Sequence, residues 1–229
     1  MTKFPILHYN TKNTKSKLVP PPMPPSKYED VVGWPMIEAS YKQALRGHRK
    51  FSREAVCYDL LSEVNNVELW SDLKKIESRP QPGRREYSPG PYRHRTITEP
   101  KTRSLHIPHL RDKVVQLVIH EELQNLFRPV FVDRSFACMY GKGPIRAAFN
   151  VQHDMRVARM KWGDEAAVIK IDVKKFFYSI DRQVLKKIIA KRFKKLKKKY
   201  PDKYEDFLRF YRLLCKVIDS SPEGERGIP

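Results

Sequence analysis

Residues 167–181 have the sequence AVIKIDVKKFFYSID. An apolar run from Ala167 to Ile171, interrupted by Lys170, ends on the carboxylate of Asp172. This pattern predicts a buried β-strand over residues 166–172. An acid at a strand end is commonly a cap or turn former. Near cations that bind phosphate, the same carboxylate is also a good ligand for Mg²⁺, which prefers one or two carboxylates together with phosphate oxygens.

The composition points to a polyanionic partner. The chain has 229 residues, with 46 Lys and Arg against 26 Asp and Glu, and a formal net charge of +20. Such an excess attracts nucleic acid first, with an anionic membrane surface as the competing partner. No apolar run approaches the roughly 20 residues of a spanning helix. The N-terminus has no apolar core of signal-peptide length, so we expect a cytoplasmic protein without a membrane part.

The order of segments predicts an α+β fold. Proline-rich residues 1–33, with VPPPMPP at 19–25, form an arm or linker. A β-hairpin is predicted from strands at 92–98 and 104–108, joined by a turn at Glu99–Thr102. Helices are predicted where apolar residues recur every three or four positions, over residues 35–46, 52–76, 109–127 and 144–160, and twice more after Asp181. Helices before an isolated strand do not suggest an alternating parallel sheet.

Four segments together resemble one family. IDVKKFFYSID (171–181) resembles motif A of reverse transcriptases, in the bacterial branch that contains group II intron and retron enzymes. ITEPKTRSLHIPHLRDKVVQLVI (97–119) resembles the fingers segment of that branch, RSFACMYGKGPIRAA (134–148) the segment after it, and ERGIP (225–229) the start of motif B. The resemblance implies a right-hand polymerase, with fingers over 34–165 and the first part of an antiparallel palm sheet over 166–229.

The resemblance assigns roles at the end of the predicted strand. Asp172 matches the catalytic aspartate that binds both metals, and the carbonyl of Val173 would be a second ligand; the cofactor would be Mg²⁺, or Mn²⁺ in its place. Phe177 matches the position beneath the incoming sugar, where a large ring disfavours a 2′-hydroxyl. Core packing is the alternative for Phe176 and Phe177, and side chains that alternate along a strand would leave at most one facing the site.

Cations outside the strand are candidates for binding phosphate. Lys101 and Arg103 match the fingers cations that hold the triphosphate, and two cations on a hairpin can clamp a phosphate chain; a solvated turn is the alternative. Lys142 would contact template or nucleotide, unless its glycine-flanked loop is only a flexible surface segment. Asp181 is best explained as the N-cap of the next helix. In many relatives a His stands where this chain has Arg182.

A basic run follows at residues 186–199, KKIIAKRFKKLKKK, with nine cations and no acid. A solvated helix face is the usual meaning of such a run. Here the backbone of template or primer is a reasonable partner, and phosphate contacts of this kind do not read sequence. The nucleic-acid-binding candidates are Lys186, Lys187, Lys191, Arg192, Lys194 and Lys195.

The sequence therefore predicts an RNA-directed DNA polymerase that uses an RNA template, a primer and dNTPs. The family's Asp-Asp motif does not occur, and the sequence ends within the motif B resemblance. We expect the chain to be inactive alone and to need the remaining palm and thumb from a downstream or separate chain. The alternative is a non-catalytic RNA-binding module in a retroelement or antiviral defence complex. RNA-templated RNA synthesis is a third reading, which the bulk of Phe177 disfavours.

Overall fold

The computed structural model describes residues 23–46, 52–139, 141–222, 224 and 226–228. The helices in these ranges are α1 (Tyr28–Val31), α2 (Trp34–Ala44), α3 (Arg53–Leu60), α4 (Ser62–Lys74), α5 (Leu110–Phe127), α6 (Pro144–Trp162), α7 (Phe176–Ser179), α8 (Arg182–Lys199) and α9 (Tyr204–Asp219). The strands are β1 (Arg93–Ile97) and β2 (Arg103–Ile107), which pair antiparallel. A helix-rich chain with one small antiparallel sheet agrees with the predicted α+β class.

The chain divides into two compact units. The smaller comprises Met23 and residues 124–170, and the larger comprises the described parts of 24–123 and 171–229. These units are groups of residues in mutual contact and do not test the predicted division into arm, fingers and palm. The predicted boundaries at 33/34 and 165/166 therefore stay predictions. Among the helices of the described residues, none combines the length and the apolar character needed to cross a membrane.

The core of the larger unit forms where α4 and α5 bury their apolar faces. Leu69 and Leu73 of α4 and Val114, Val115 and Val118 of α5 are fully buried. Each such side chain stabilises the fold by about 1.5–3 kcal/mol relative to an exposed one. The long helix predicted over 52–76 is divided in two at Leu61, whose φ of −122° and ψ of 31° are not helical.

The predicted arm is wrong for the residues around α1. Tyr28, Val31 and Val32 are buried, and the Tyr28 hydroxyl donates a hydrogen bond of 2.9 Å to the carbonyl of Leu73. Burial raises the pKa of Tyr28 well above its ordinary value. The segment is also held to α9, because the Tyr28 N–H donates to the Asp206 carboxylate over 2.8 Å and the Arg209 guanidinium lies 4.1 Å from the centroid of the Tyr28 ring. Residues 1–22 of the predicted arm lie outside the described residues.

Helices α8 and α9 pack against each other through aromatic rings. The ring of Phe193 stacks on that of Phe207, with centroids 5.7 Å apart and an interplanar angle of 15°. Asp181 caps α8 by accepting a hydrogen bond of 2.9 Å from the backbone N–H of Val184, as the sequence predicted. That hydrogen bond lowers the pKa of the Asp181 carboxyl. Pro201 follows the end of α8, where it cannot continue the helix.

The strand predicted over residues 166–172 is wrong. These residues form neither helix nor strand, and Val168, Ile169 and Ile171 are 69%, 82% and 83% exposed. A strand needs a neighbour to pair its backbone N–H and C=O groups, and no described residue pairs with this segment. The predicted palm sheet is consequently not present in the described part of the chain, where the hairpin β1–β2 is the only sheet.

Candidate functional site

Asp172 is exposed on the segment that leads into the short helix α7. Its carboxylate is open to solvent and makes no ion pair with a described residue. The residue directly before α7, Lys175, adopts a left-handed backbone conformation with φ of 50°. This conformation turns the chain between Val173 and the α7 phenylalanines. The exposed end of the apolar run is therefore a turn into a helix.

Phe176 and Phe177 lie in α7 and not in a strand. Their rings are 5.4 Å apart between centroids, and the two residues are 52% and 62% exposed. Core packing, the alternative for both, is wrong in this structure because neither ring is buried. The argument that strand alternation leaves only one ring facing the site also fails, because successive side chains on a helix do not alternate.

The hairpin presents the two predicted phosphate-binding cations at its turn. Arg103 is the first residue of β2 and pairs with Ile97 of β1, and Lys101 lies in the turn just before it. Both residues are exposed, and neither makes an ion pair with a carboxylate of the described residues. Two unneutralised cations this close in the chain attract an anion such as a phosphate chain.

A hydrogen bond connects the hairpin to the segment that carries Asp172. The Tyr178 hydroxyl, in α7, donates to the backbone carbonyl of Ser104 in β2 over 2.8 Å. Ser104 directly follows Arg103, and Tyr178 directly follows Phe177. Sequence reasoning gave Tyr178 no role, because a contact between residues this distant in the chain leaves no local pattern.

We expect Tyr178→Phe to lower the free energy of unfolding by about 0.5–1.5 kcal/mol, the net worth of one hydrogen bond. Urea denaturation measures the change. Tyr204→Phe is the matched control, because it deletes a hydroxyl for which no described residue is a hydrogen-bond partner. Equal effects of the two substitutions would contradict a stabilising contact between α7 and β2.

The segment before the C-terminus docks beside α7 through a buried arginine. Arg182 is only 6% exposed, and its guanidinium donates to the carbonyls of Gly227 (2.9 Å), Arg226 (3.1 Å) and Asp219 (3.3 Å), as well as to that of Gly224. The N–H of Gly227 donates to the Ile180 carbonyl (2.8 Å) and that of Ile228 to the Phe177 carbonyl (3.2 Å). The part of ERGIP that is described, residues 226–228, therefore lies against the end of the motif A resemblance.

Lys142, in the smaller unit, is bound within its own loop. Its ammonium donates to the Asp133 carbonyl over 2.6 Å and lies 5.6 Å from the centroid of the Phe136 ring. The carboxylate of Asp133 is 3.6 Å away, and only 12% of the Lys142 side chain is exposed. These contacts neutralise its charge locally. A role for Lys142 in contacting nucleotide or template stays a prediction.

The cations of α8 fall into two groups. Lys186 is bound to Asp219 over 2.6 Å, and Arg192 is half-buried. The other predicted nucleic-acid-binding residues are exposed: Lys187, Lys191, Lys194 and Lys195. The packing of α8 on α9 therefore separates the side chains that hold the fold from those that face solvent.

The residues described here fit only part of a metal centre. Among them, no group of three or more His, Cys, Asp or Glu side chains is arranged to hold a metal ion. Asp172 and the Val173 carbonyl supply oxygen ligands of the type that Mg²⁺ prefers, but one carboxylate is fewer than a paired-metal site requires.

Comparison with known proteins adds no family: no protein-family model matches the chain, and no curated protein matches it either.

Proposed function

We propose that this chain forms the fingers and the first part of the palm of an RNA-directed DNA polymerase, which adds dNTPs to a primer on an RNA template. The observation that supports this most is the hydrogen bond from Tyr178 to Ser104. It joins the segment that follows Asp172 to the strand that begins with Arg103. The carboxylate proposed for metal, six residues before Tyr178, and the cations proposed for the triphosphate, beside Ser104, are thus on segments that this hydrogen bond joins.

Each residue would have a defined part in the reaction. The primer 3′-hydroxyl passes its proton to water and its oxygen attacks the α-phosphorus of the dNTP. A new P–O bond forms, the bond from the α-phosphorus to the oxygen that bridges to the β-phosphate breaks, and pyrophosphate leaves. Lys101 and Arg103 would bind the triphosphate and the departing pyrophosphate by charge. The ring of Phe177 would exclude a 2′-hydroxyl. Asp172 and the Val173 carbonyl would hold Mg²⁺, which supplies charge neutralisation at the phosphates when it is bound.

A second candidate function is a non-catalytic RNA-binding module. It is favoured by the exposed lysines of α8, which suit binding to phosphates without any chemistry. It is also favoured because Asp172 belongs to no group of three or more metal-ligating side chains among the described residues. Both candidates predict nucleic-acid binding, so the binding of nucleotide is what separates them.

Replacing Lys101 and Arg103 with alanine is expected to weaken dNTP binding at least about tenfold. A hydrogen bond to a charged group is worth about 1.5–3 kcal/mol, and about 1.4 kcal/mol corresponds to a factor of ten in affinity. The dissociation constant of a dNTP in the presence of Mg²⁺, measured by calorimetry on the 229-residue chain, checks this.

The matched control is the pair Lys42→Ala and Arg53→Ala, which removes the same charge from exposed positions on α2 and α3. Its dNTP affinity should remain within a factor of two or so of the parent chain, since these sites lie outside the hairpin. Equal losses in both double variants would contradict a specific triphosphate site. Tight RNA binding without measurable dNTP binding would favour the RNA-binding module.

A further inference from the structure

Helix α8 carries a row of four lysines on the side opposite its core. Lys187, Lys191, Lys194 and Lys198 are spaced by four, three and four residues, which places them on one face of an α-helix. The buried residues of α8 include Ile189, Phe193 and Leu196, about half a turn away from the row at 100° per residue. All four lysines are exposed. We call them the lysine row.

Several other cations of α8 have partners within the fold. Lys186 binds Asp219, and the ammonium groups of Lys197 and Lys199 lie 3.6 Å and 5.1 Å from the ring centroids of Tyr204 and Tyr200. Within the described part of the chain, no member of the lysine row makes an ion pair with a carboxylate. The row thus presents four positive charges to solvent.

Such a row costs helix stability in the free protein. Like charges four residues apart, as in Lys187 with Lys191 and Lys194 with Lys198, destabilise a helix by a few tenths of a kcal/mol per pair. Only Lys198, in the last turn, gains from the negative end of the helix dipole. A bound polyanion would relieve the repulsion along the whole row.

The dimensions of the lysine row match a strand of a double helix. At 1.5 Å per residue, Lys187 and Lys198 are about 16 Å apart along the helix axis, and a nucleic-acid strand in a duplex carries a phosphate every ~3.4 Å of axis, or about five over that length. A duplex holds these phosphates in place in advance, whereas a single strand would lose conformational freedom on binding to a rigid row.

We propose that the lysine row binds the phosphate backbone of double-helical nucleic acid without reading its sequence. The choice of nucleic acid as the polyanion rests on the proposed function, but binding at α8 needs neither catalysis nor a nucleotide at the hairpin. Lys198 joins the set that sequence analysis named, while Lys186 and Arg192 leave it because they are engaged in the fold. Lys195 leaves it because it lies about 100° around the helix from Lys194, away from the face that the row occupies.

The test is the salt dependence of duplex binding. With Lys187, Lys191, Lys194 and Lys198 all changed to Gln, the slope of log affinity against log salt for an RNA duplex of about 25 base pairs should fall by about three to four, since each phosphate contact contributes ~0.9. Fluorescence anisotropy on the full chain, repeated with a second duplex of unrelated sequence, measures it. The two sequences should give the same loss.

The control removes four exposed lysines from other helices or segments: Lys27, Lys42, Lys74 and Lys161. It lowers the net charge equally, and its slope should change by less than about one. Equal slopes in the two quadruple variants would overturn the proposal, because net charge alone would then explain binding. Binding to phosphatidylserine vesicles that depends on the lysine row, without such binding to duplex, would overturn it as well. A larger loss for single-stranded RNA than for duplex would also overturn it. Intact dNTP binding alongside such results would leave the proposed function standing.

Discussion

Asp172→Asn is expected to reduce Mg²⁺-dependent primer extension at least about a hundredfold. Asparagine keeps the size of the side chain but loses the negative charge that attracts the cation. Substituting the outer-shell partners of metal ligands already costs 10–100-fold in affinity or activity, so losing a direct ligand should cost more. The assay is extension of a primer on an RNA template, with the chain assembled with a separate polypeptide that supplies the rest of the palm and the thumb.

The substitution should leave the fold intact, because Asp172 is exposed and makes no ion pair with a described residue. Asp202→Asn, at another exposed acid, is the control and should extend primers like the parent. Undiminished extension by Asp172→Asn would rule out the proposed role of this carboxylate. No extension by the parent assembly, together with tight RNA binding, would favour the RNA-binding module. The separate polypeptide would have to supply the remaining carboxylates that the proposal needs.

The helices and the hairpin could be predicted because their signals are local. Periodic apolar residues place α5 and α6 within two residues of the expected bounds. Glu99–Thr102 between two β-rich stretches fixes the turn of the hairpin. The strand expected at 166–172 has equally good local signals, but strand formation depends on a partner, and none lies among the described residues. For residues 28–32 the local signals missed a structured segment: the proline-rich context predicts an arm, but contacts with residues distant in the chain bury Tyr28, Val31 and Val32.

The sequence could predict which residues are candidates for the site, but it could not predict which of them the fold brings into contact. Chemistry and resemblance single out Asp172, Lys101 and Arg103, and all three are exposed. The hydrogen bond from Tyr178 to Ser104 joins residues that are 74 positions apart in the chain. No local spacing of residues could predict it. The only sequence signal at Arg182 is that it departs from the pattern of the resembled family, and this departure did not predict its hydrogen bonds to the carbonyls of residues 219–227.

Arg182→Ala is expected to lower the free energy of unfolding by about 2–4 kcal/mol, within the range of losses that break a buried hydrogen-bond network. The guanidinium donates to the carbonyls of Asp219, Gly224, Arg226 and Gly227. Alanine removes every one of these donors and leaves a cavity at a position that is 6% exposed. Urea denaturation of the full chain measures the loss.

The same substitution should also detach the segment that these carbonyls belong to. In the parent chain the N–H groups of Gly227 and Ile228 donate to the carbonyls of Ile180 and Phe177, so they should be protected from hydrogen exchange. Arg182→Ala should speed their exchange at least about tenfold, while Arg182→Lys, which keeps a charge but not the planar fork, should fall between. Lys187→Ala, at the exposed face of α8, should change neither exchange nor stability by more than about 0.5 kcal/mol.

Unchanged protection at Gly227 and Ile228 in Arg182→Ala would show that the segment docks without the guanidinium. The expected result instead makes Arg182 the residue that holds residues 226–228 against the segment from Phe177 to Asp181. Because Ile228 bonds to the carbonyl of Phe177 itself, freeing residues 226–228 would also loosen the helix turn that presents the ring proposed to screen the sugar. A loss of dNTP over rNTP selectivity in Arg182→Ala, with Asp172 untouched, therefore follows from the same contacts.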